Sequence, residues 1–237
     1  MNENERREGI CLGLIGGLGV GATVYYYREL VKAHATRGFA PNLLIVHADV
    51  NRVLQYYATG EIAQMAKYFL VLIRRLEAAG AKVAAIPAIT PHLCEPELVP
   101  RSPIPLVSPV DEIVGEVRRR ELRRVALFGT RFTIETGLFG RLRAVDVVTP
   151  TTAEIEFIHQ AYLQIVNAGN GTEEQYQGLR QIAHTLLERE NVEAIILAGT
   201  ELALIFNEAN LDFPHIDGSR LHLDAIMRQL TTLDRGQ

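Results

Sequence analysis

The feature that most restricts the fold is a repeated alternation. Short runs that are almost wholly apolar, 10-ICLGLIG-16, 43-LLIVHA-48, 82-KVAAIPA-88, 104-IPLVS-108, 124-RVALFG-129, 145-VDVVTP-150, 194-AIILAG-199 and 213-FPHID-217, are separated by stretches of helical periodicity. A strand with one wet face alternates polar and apolar residues, so most of these runs belong to strands covered on both faces. Helices in the intervening stretches cover parallel sheets through right-handed crossovers. Periodicity predicts them at about 22–36, 60–80, 110–120, 133–142, 152–168, 172–189, 201–207 and 219–230.

The same order of elements occurs twice. A glycine turn, 16-GGLG-19, follows the first strand, and 129-GTRFT-133 follows a later one. Each half then runs on to a strand that breaks into small residues and a threonine, 84-AAIPAITPHL-93 in one and 194-AIILAGTELALIF-206 in the other. Two similar α/β lobes, 1–108 and 109–237, with the C-terminal helix free to return onto the first, would set these turns across one cleft. Ligands of open α/β sheets bind at the carboxyl ends of strands.

Composition bounds the partners. At 237 residues, 48% hydrophobic and 22% charged, the chain can bury one large core or two small ones. A net charge of -4 with no basic tail or aromatic-basic stripe gives no reason to expect nucleic acid. The cluster 118-RRRELRR-124 reads as a solvated helix end before a strand more readily than as a phosphate patch. No run approaches a membrane span and the opening MNENERREG lacks an apolar leader core, so a cytoplasmic address with no membrane partner is expected. Cys11 and Cys94 suit reduced thiols better than a disulfide or a metal site.

Several chemistries can be weighed from the residues. The run 17-GLGVGA-22 satisfies G-x-G-x-x-A after a strand, but the acidic residue of a dinucleotide site is absent about 20 positions on. The competing reading is a close-packing turn whose amides face a small anion. A P-loop is excluded by the missing Gly-Lys-Ser/Thr. Of 24 basic residues only Lys32, Lys67 and Lys82 are lysines, none at a strand's carboxyl end, which speaks against a pyridoxal phosphate Schiff base. His47, His92, His215 and His222 lie near strand ends without metal-ligand spacing, and a structural hydrogen bond is the simpler role for each. His92 stands apart, because Thr90 and His92 share a turn that the second half answers with Thr200 and Glu201.

At these residues the chain resembles the aspartate/glutamate racemase superfamily, in its aspartate racemase branch. LGLIGGLGVGAT is similar to that branch's opening, RVALFGTRFTIETGLF at 124–139 to its second-half opening, and PHIDGSRLHLDA at 214–225 to its closing Pro-x-x-Asp then His segment. The resemblance covers nearly the whole chain. It implies two Rossmann-like α/β lobes with parallel sheets, a cleft between them, a homodimer, and racemisation without cofactor or metal. In the family two thiols on opposite sides of the cleft exchange the α-proton, one in Cys-Asn-Thr-x-His and one in Gly-Cys-Thr-Glu. Laid on this sequence, the first motif falls on 88-AITPH-92, with Ala88 at the cysteine and Ile89 at the asparagine, and the second on 198-AGTE-201, with Gly199 at the cysteine.

Neither a methyl group nor a hydrogen atom accepts a proton, so the two-thiol mechanism cannot run as written. The resemblance leaves His92 and Glu201 as acid/base candidates beside the vacated Ala88 and Gly199. Gly16, Gly17, Thr90, Thr130 and Thr200 are the candidate binding turns, and Arg52 falls about where relatives grip a carboxylate. A surface arginine opening a loop is the other reading of Arg52. Where aspartate-specific relatives place a lysine, 151-TTAEIEFIH-159 offers Glu154 and Glu156, which would favour a neutral or cationic distal group if either faced the cleft. Glu156 is the candidate carried forward; helix-surface solvation is the alternative for both. The expected ligand is a small amino acid or carboxylic acid, the expected class an amino-acid isomerase. The alternatives are an inactive binding protein and a cysteine-independent lyase or isomerase.

Overall fold

The computed structural model describes residues 9–36 and 40–235; residues 1–8 of the segment read above as lacking a leader lie outside them. Two four-stranded parallel sheets form the frame. The first contains β1 (Leu12–Gly16), β2 (Leu43–His47), β3 (Val83–Ala85) and β4 (Leu106–Val107) in the order β2-β1-β3-β4. The second contains β5 (Arg124–Phe128), β6 (Asp146–Val148), β7 (Ala194–Leu197) and β8 (His215–Asp217) in the order β6-β5-β7-β8. The two orders are the same, so the repeated sequence pattern corresponds to a repeated topology.

The helices are α1 (Val20–Ala35), α2 (Val50–Ala58), α3 (Ile62–Ala78), α4 (Glu95–Leu98), α5 (Pro109–Arg119), α6 (Arg131–Glu135), α7 (Gly137–Gly140), α8 (Thr152–Ala168), α9 (Glu173–Glu190) and α10 (Gly218–Arg235). Sequence periodicity missed α2, which begins where the Asp49 side chain accepts the amides of Asn51 and Arg52. The single helix expected over 133–142 is two short ones, because Leu138 and Phe139 adopt left-handed backbone angles. The stretches after β3 and β7 wind as tight 3-10 turns over Thr90–Cys94 and Thr200–Leu204.

Strand alternation distributes β1 between two cores. Leu12 and Leu14 pack with Tyr26 and Leu30 of α1 and with Leu223, Ile226, Met227 and Leu230 of α10, while Cys11 and Ile15 join Met65, Phe69, Ile73 and Leu76 of α3. The C-terminal helix therefore covers one face of the first sheet. The apolar stretch 66–73 is mostly core, with Ala66, Phe69, Leu70, Leu72 and Ile73 buried and Val71 47% exposed. A larger core surrounds the second sheet, with Ile113, Phe128, Ile158, Leu179 and Ile196 among its members. Among the described residues no helix is long and apolar enough to cross a membrane.

Because Ile226 is fully buried under the first sheet, Ile226→Ala is expected to destabilise the whole chain by about 2–5 kcal/mol, read from urea unfolding. A change below about 0.5 kcal/mol, the size usual for surface positions, would show that α10 is not part of that core.

Candidate functional site

The two halves meet where β3 and β7 end. The Thr200 hydroxyl lies 3.3 Å from Pro87 O and 3.0 Å from Glu201 Oε2, so its one proton serves a bond across the seam or one within the turn. Ala88 is half-buried against the first core, whereas Ile89 is buried in the core of the second half. Positions 88 and 199 thus lie on segments that touch.

Gly199 has an extended backbone, φ -148° and ψ 121°, open to any residue. Space, not dihedral angle, makes it glycine. A Cβ built there would lie 2.5 Å from Cε2 and 3.0 Å from Cζ of Tyr162, so the tyrosine ring of α8 fills the side-chain space of position 199. The Tyr162 hydroxyl donates to Glu201 Oε2 at 2.6 Å. Across the seam, a Cβ at Gly19 would fall on Glu201 Oε1, so the carboxyl group sits in a notch at the start of α1. Glu201 is 2% and Thr200 1% exposed. Burial lifts the Glu201 carboxyl above its ordinary value, against the lowering effect of hydrogen bonds from Tyr162 and Thr200.

The glycine turn is filled by the protein's own groups. Gly17 N donates to Thr23 Oγ1 at 3.0 Å, the Thr23 hydroxyl donates to Gly19 O at 2.8 Å, and Gly16 O accepts Ala48 N at 2.8 Å. In the second half the Thr130 side chain caps α6, accepting Thr133 N at 3.2 Å. Thr90 is half-buried at the first residue of its turn. Glu156 is exposed and pairs with Arg131, and Glu154 closes the capping box of α8 and pairs with Arg189. Arg52 is exposed on α2, donates through Nε to Tyr56 OH at 2.8 Å, and lies over the rings of Tyr56 and Tyr68. A cavity of about 490 Å³ at the carboxyl end of β2 is lined by Arg52, Arg75, His47, Asp49 and Tyr68 among others. Tyr57 of α2 meets Phe132 of α6 with ring centroids 5.1 Å apart, a further contact between the halves.

His92 is held by groups of the first half. Its Nδ1 lies 2.6 Å from Glu95 Oε1 and its Nε2 3.3 Å from Ile86 O, so both ring nitrogens face acceptors. Burial works against ionisation of Glu95, but His92, Ser108 and Arg141 outweigh it and hold its carboxyl below the ordinary value. The closing motif identified in the sequence has clear local roles as well. Asp217 accepts the amides of Ser219 and Arg220 at the start of α10, and His222 bridges Val107 O through Nε2 at 3.0 Å and Tyr26 OH through Nδ1 at 3.1 Å. Since a carbonyl only accepts, Nε2 carries the proton and Nδ1 accepts from the phenol. Burial, with His92 adding, pushes the His222 pKa down to about 3.

The cysteines stand elsewhere. Cys94 is buried, its thiol donates to Pro91 O at 3.1 Å, and burial with the charges of Glu95 and Glu97 pushes its pKa up to about 12. Cys11 is buried in the first core. Sequence reasoning missed Tyr162. It occupies an inward position of α8 beside Ile155, Ile158 and Ile165, indistinguishable there from ordinary core.

A profile described as Asp/Glu/Hydantoin racemase matches residues 15–226. Among solved structures, an aspartate racemase homologue from Pyrococcus horikoshii OT3 superposes with a TM-score of 0.76 at 26% identity, covering 93% of this chain and 98% of that one. The Picrophilus torridus aspartate racemase gives 0.70 at 19% identity, covering 94% and 95%. A glutamate racemase from Francisella tularensis in complex with D-glutamate gives 0.66 at 16%, covering 95% and 82%.

The buried imidazole supplies a test of the seam's electrostatics. The unfolded chain takes up a proton at His222 below about 6.5, whereas the folded protein does so only near 3. The stability this residue contributes is therefore complete above about pH 6.5 and lost progressively as the pH falls toward 3. His222→Gln, whose amide can still donate to Val107 O and accept from Tyr26, is expected to flatten the fall of stability across that window in chemical denaturation at stepped pH. An unchanged slope would show that His222 does not titrate differently on unfolding.

Proposed function

Because the chain belongs to the Asp/Glu/hydantoin racemase family yet carries Ala88 and Gly199 where the resemblance places its thiols, we propose that it binds a small amino acid or carboxylic acid at the carboxyl ends of its strands without racemising it. Racemisation by two bases needs a proton acceptor on each face of the α-carbon. The observation that carries this reading is the Tyr162 ring filling the space beside Gly199. Burial, together with Glu201, raises the phenol's pKa well above its ordinary 10.0, which makes it a poor base at neutral pH. Cys94, protonated to about pH 12 and bonded to Pro91 O, does not replace the missing thiol.

The binding half of the proposal rests on the cavity at the end of β2. Arg52 and Arg75 line it, and among the described residues neither has an ion pair with a carboxylate. A guanidinium with two free nitrogens matches a carboxylate in bidentate geometry. Arg52 keeps both terminal nitrogens available while Tyr56 holds its Nε. The proposal invokes no cofactor, since positioning an acid by charge and hydrogen bonds needs none.

Incubation in heavy water with a panel of free amino acids, followed by proton NMR, is expected to show no α-proton exchange above the protein-free rate. L-Aspartate or succinate is expected to raise the Tm, since a ligand at 100 times its Kd stabilises the folded state by about 2.7 kcal/mol. Arg52→Ala should remove that rise. Exchange with any one amino acid would sink the non-racemising reading. Consumption of an acid without exchange would place the chain among cysteine-independent lyases or isomerases instead.

A further inference from the structure

Resting on the reading above and extending it, we propose that Tyr162 is the specificity-determining residue of the seam: its ring takes the side-chain space of position 199 and Glu201 holds it there, so that an acid at the seam has no room on that side. Four relations support this. The backbone at Gly199 is extended and tolerates any residue, so the close approach of Tyr162 is what demands glycine. The ring is fixed at both ends, by its packing on α8 with Ile158 and Ile165 and by the hydroxyl's 2.6 Å bond to Glu201 Oε2. Glu201 is itself fixed, with Thr200 donating to the same oxygen and the other oxygen resting in the Gly19 notch. Finally, Thr200 Oγ1 lies 3.3 Å from Pro87 O, which places the ring's anchor against the segment that carries Ala88.

The consequence concerns more than a lost thiol. A cysteine restored at position 199 would meet the ring, so the vacated position and the tyrosine form one unit. Removing the ring would open a phenol-shaped space, with Glu201 at its far end and the seam beside it. A carboxylic acid carrying a phenol ring could then enter, its ring replacing that of Tyr162 and its carboxylate remaining in the seam. A sealed core cavity behaves differently, because it accepts a neutral aromatic and rejects a charge.

The test compares Tm values for wild type, Gly199→Cys, Tyr162→Phe and Tyr162→Ala, and for Gly199→Cys combined with each tyrosine variant. Gly199→Cys is expected to lower the Tm by several degrees alone and again when added to Tyr162→Phe, which keeps the ring. Added to Tyr162→Ala it should cost nothing further or restore part of the loss. 4-Hydroxyphenylacetate is expected to raise the Tm of Tyr162→Ala by several degrees and to leave wild type and Tyr162→Phe unchanged; Tyr162→Val supplies the same comparison if the alanine variant does not fold. Additive Tm changes would overturn the proposal. So would stabilisation of the shortened variant by p-cresol but not by the acid, which would make Tyr162 core filling alone. These readouts use neither turnover nor the wild-type ligand, so an α-proton exchange result that ended the non-racemising reading would leave the assignment of Tyr162 to be decided separately.

Discussion

The seam depends on where one carboxyl group goes. Glu201 is carried on a tight turn at the end of β7, and its carboxyl reaches the start of α1, where only the absence of a side chain at Gly19 makes room. Burying a carboxyl is costly unless hydrogen bonds compensate, and here Tyr162 and Thr200 both donate to it. The placement fixes three things at once: the approach of α1 to the second half, the position of the Tyr162 ring, and the size of residue 199. Glycine at 19 makes room for the Glu201 carboxyl, and glycine at 199 for the tyrosine ring bonded to it. Each is extended in backbone, and each is small because something large stands against it.

The architecture was legible in the sequence because buried parallel strands leave a strong mark, a short run with no polar alternation. All eight strand runs contain a strand, although 82–88 and 104–108 shrink to Val83–Ala85 and Leu106–Val107 as their ends turn into loops. Helix boundaries were less legible where local backbone chemistry overrides periodicity. Asp49 starts α2 inside a stretch that reads as a loop, and Leu138 with Phe139 break what reads as one helix. At the site, the resemblance singles out positions 88 and 199, but what occupies the space beside Gly199 could not be read off the chain. Tyr162 lies 37 residues before Gly199 in sequence and at a helix position typical of core, so no spacing rule links the two. A glycine where a relative carries a side chain is the only trace such a partner leaves.

The histidines show the same division between what pattern and what packing reveal. His92 and His222 both follow strand ends, where a reactive role is easily imagined. The structure engages both in buried pairs instead, His92 with Glu95 and His222 with Tyr26, their rings edge to face at 6.2 Å. Glu95 continues the series to Arg141, which lies in the second half and also pairs with Asp111. This chain of polar contacts runs from α1 to the loop after α7 with its buried members hydrogen-bonded, so it contributes to specifying one arrangement of the halves.

The return of α10 onto the first sheet bears on how the polypeptide acquires its shape. The face of β1 formed by Leu12 and Leu14 is completed by Leu223, Ile226 and Met227, more than 200 residues later. During synthesis the amino-terminal half therefore leaves the ribosome with this apolar surface covered by α1 alone, and it stays partly open until α10 has emerged. Contacts this distant in sequence are closed late and slowly. In the interval that surface is open to chaperones, or to the wrong partner.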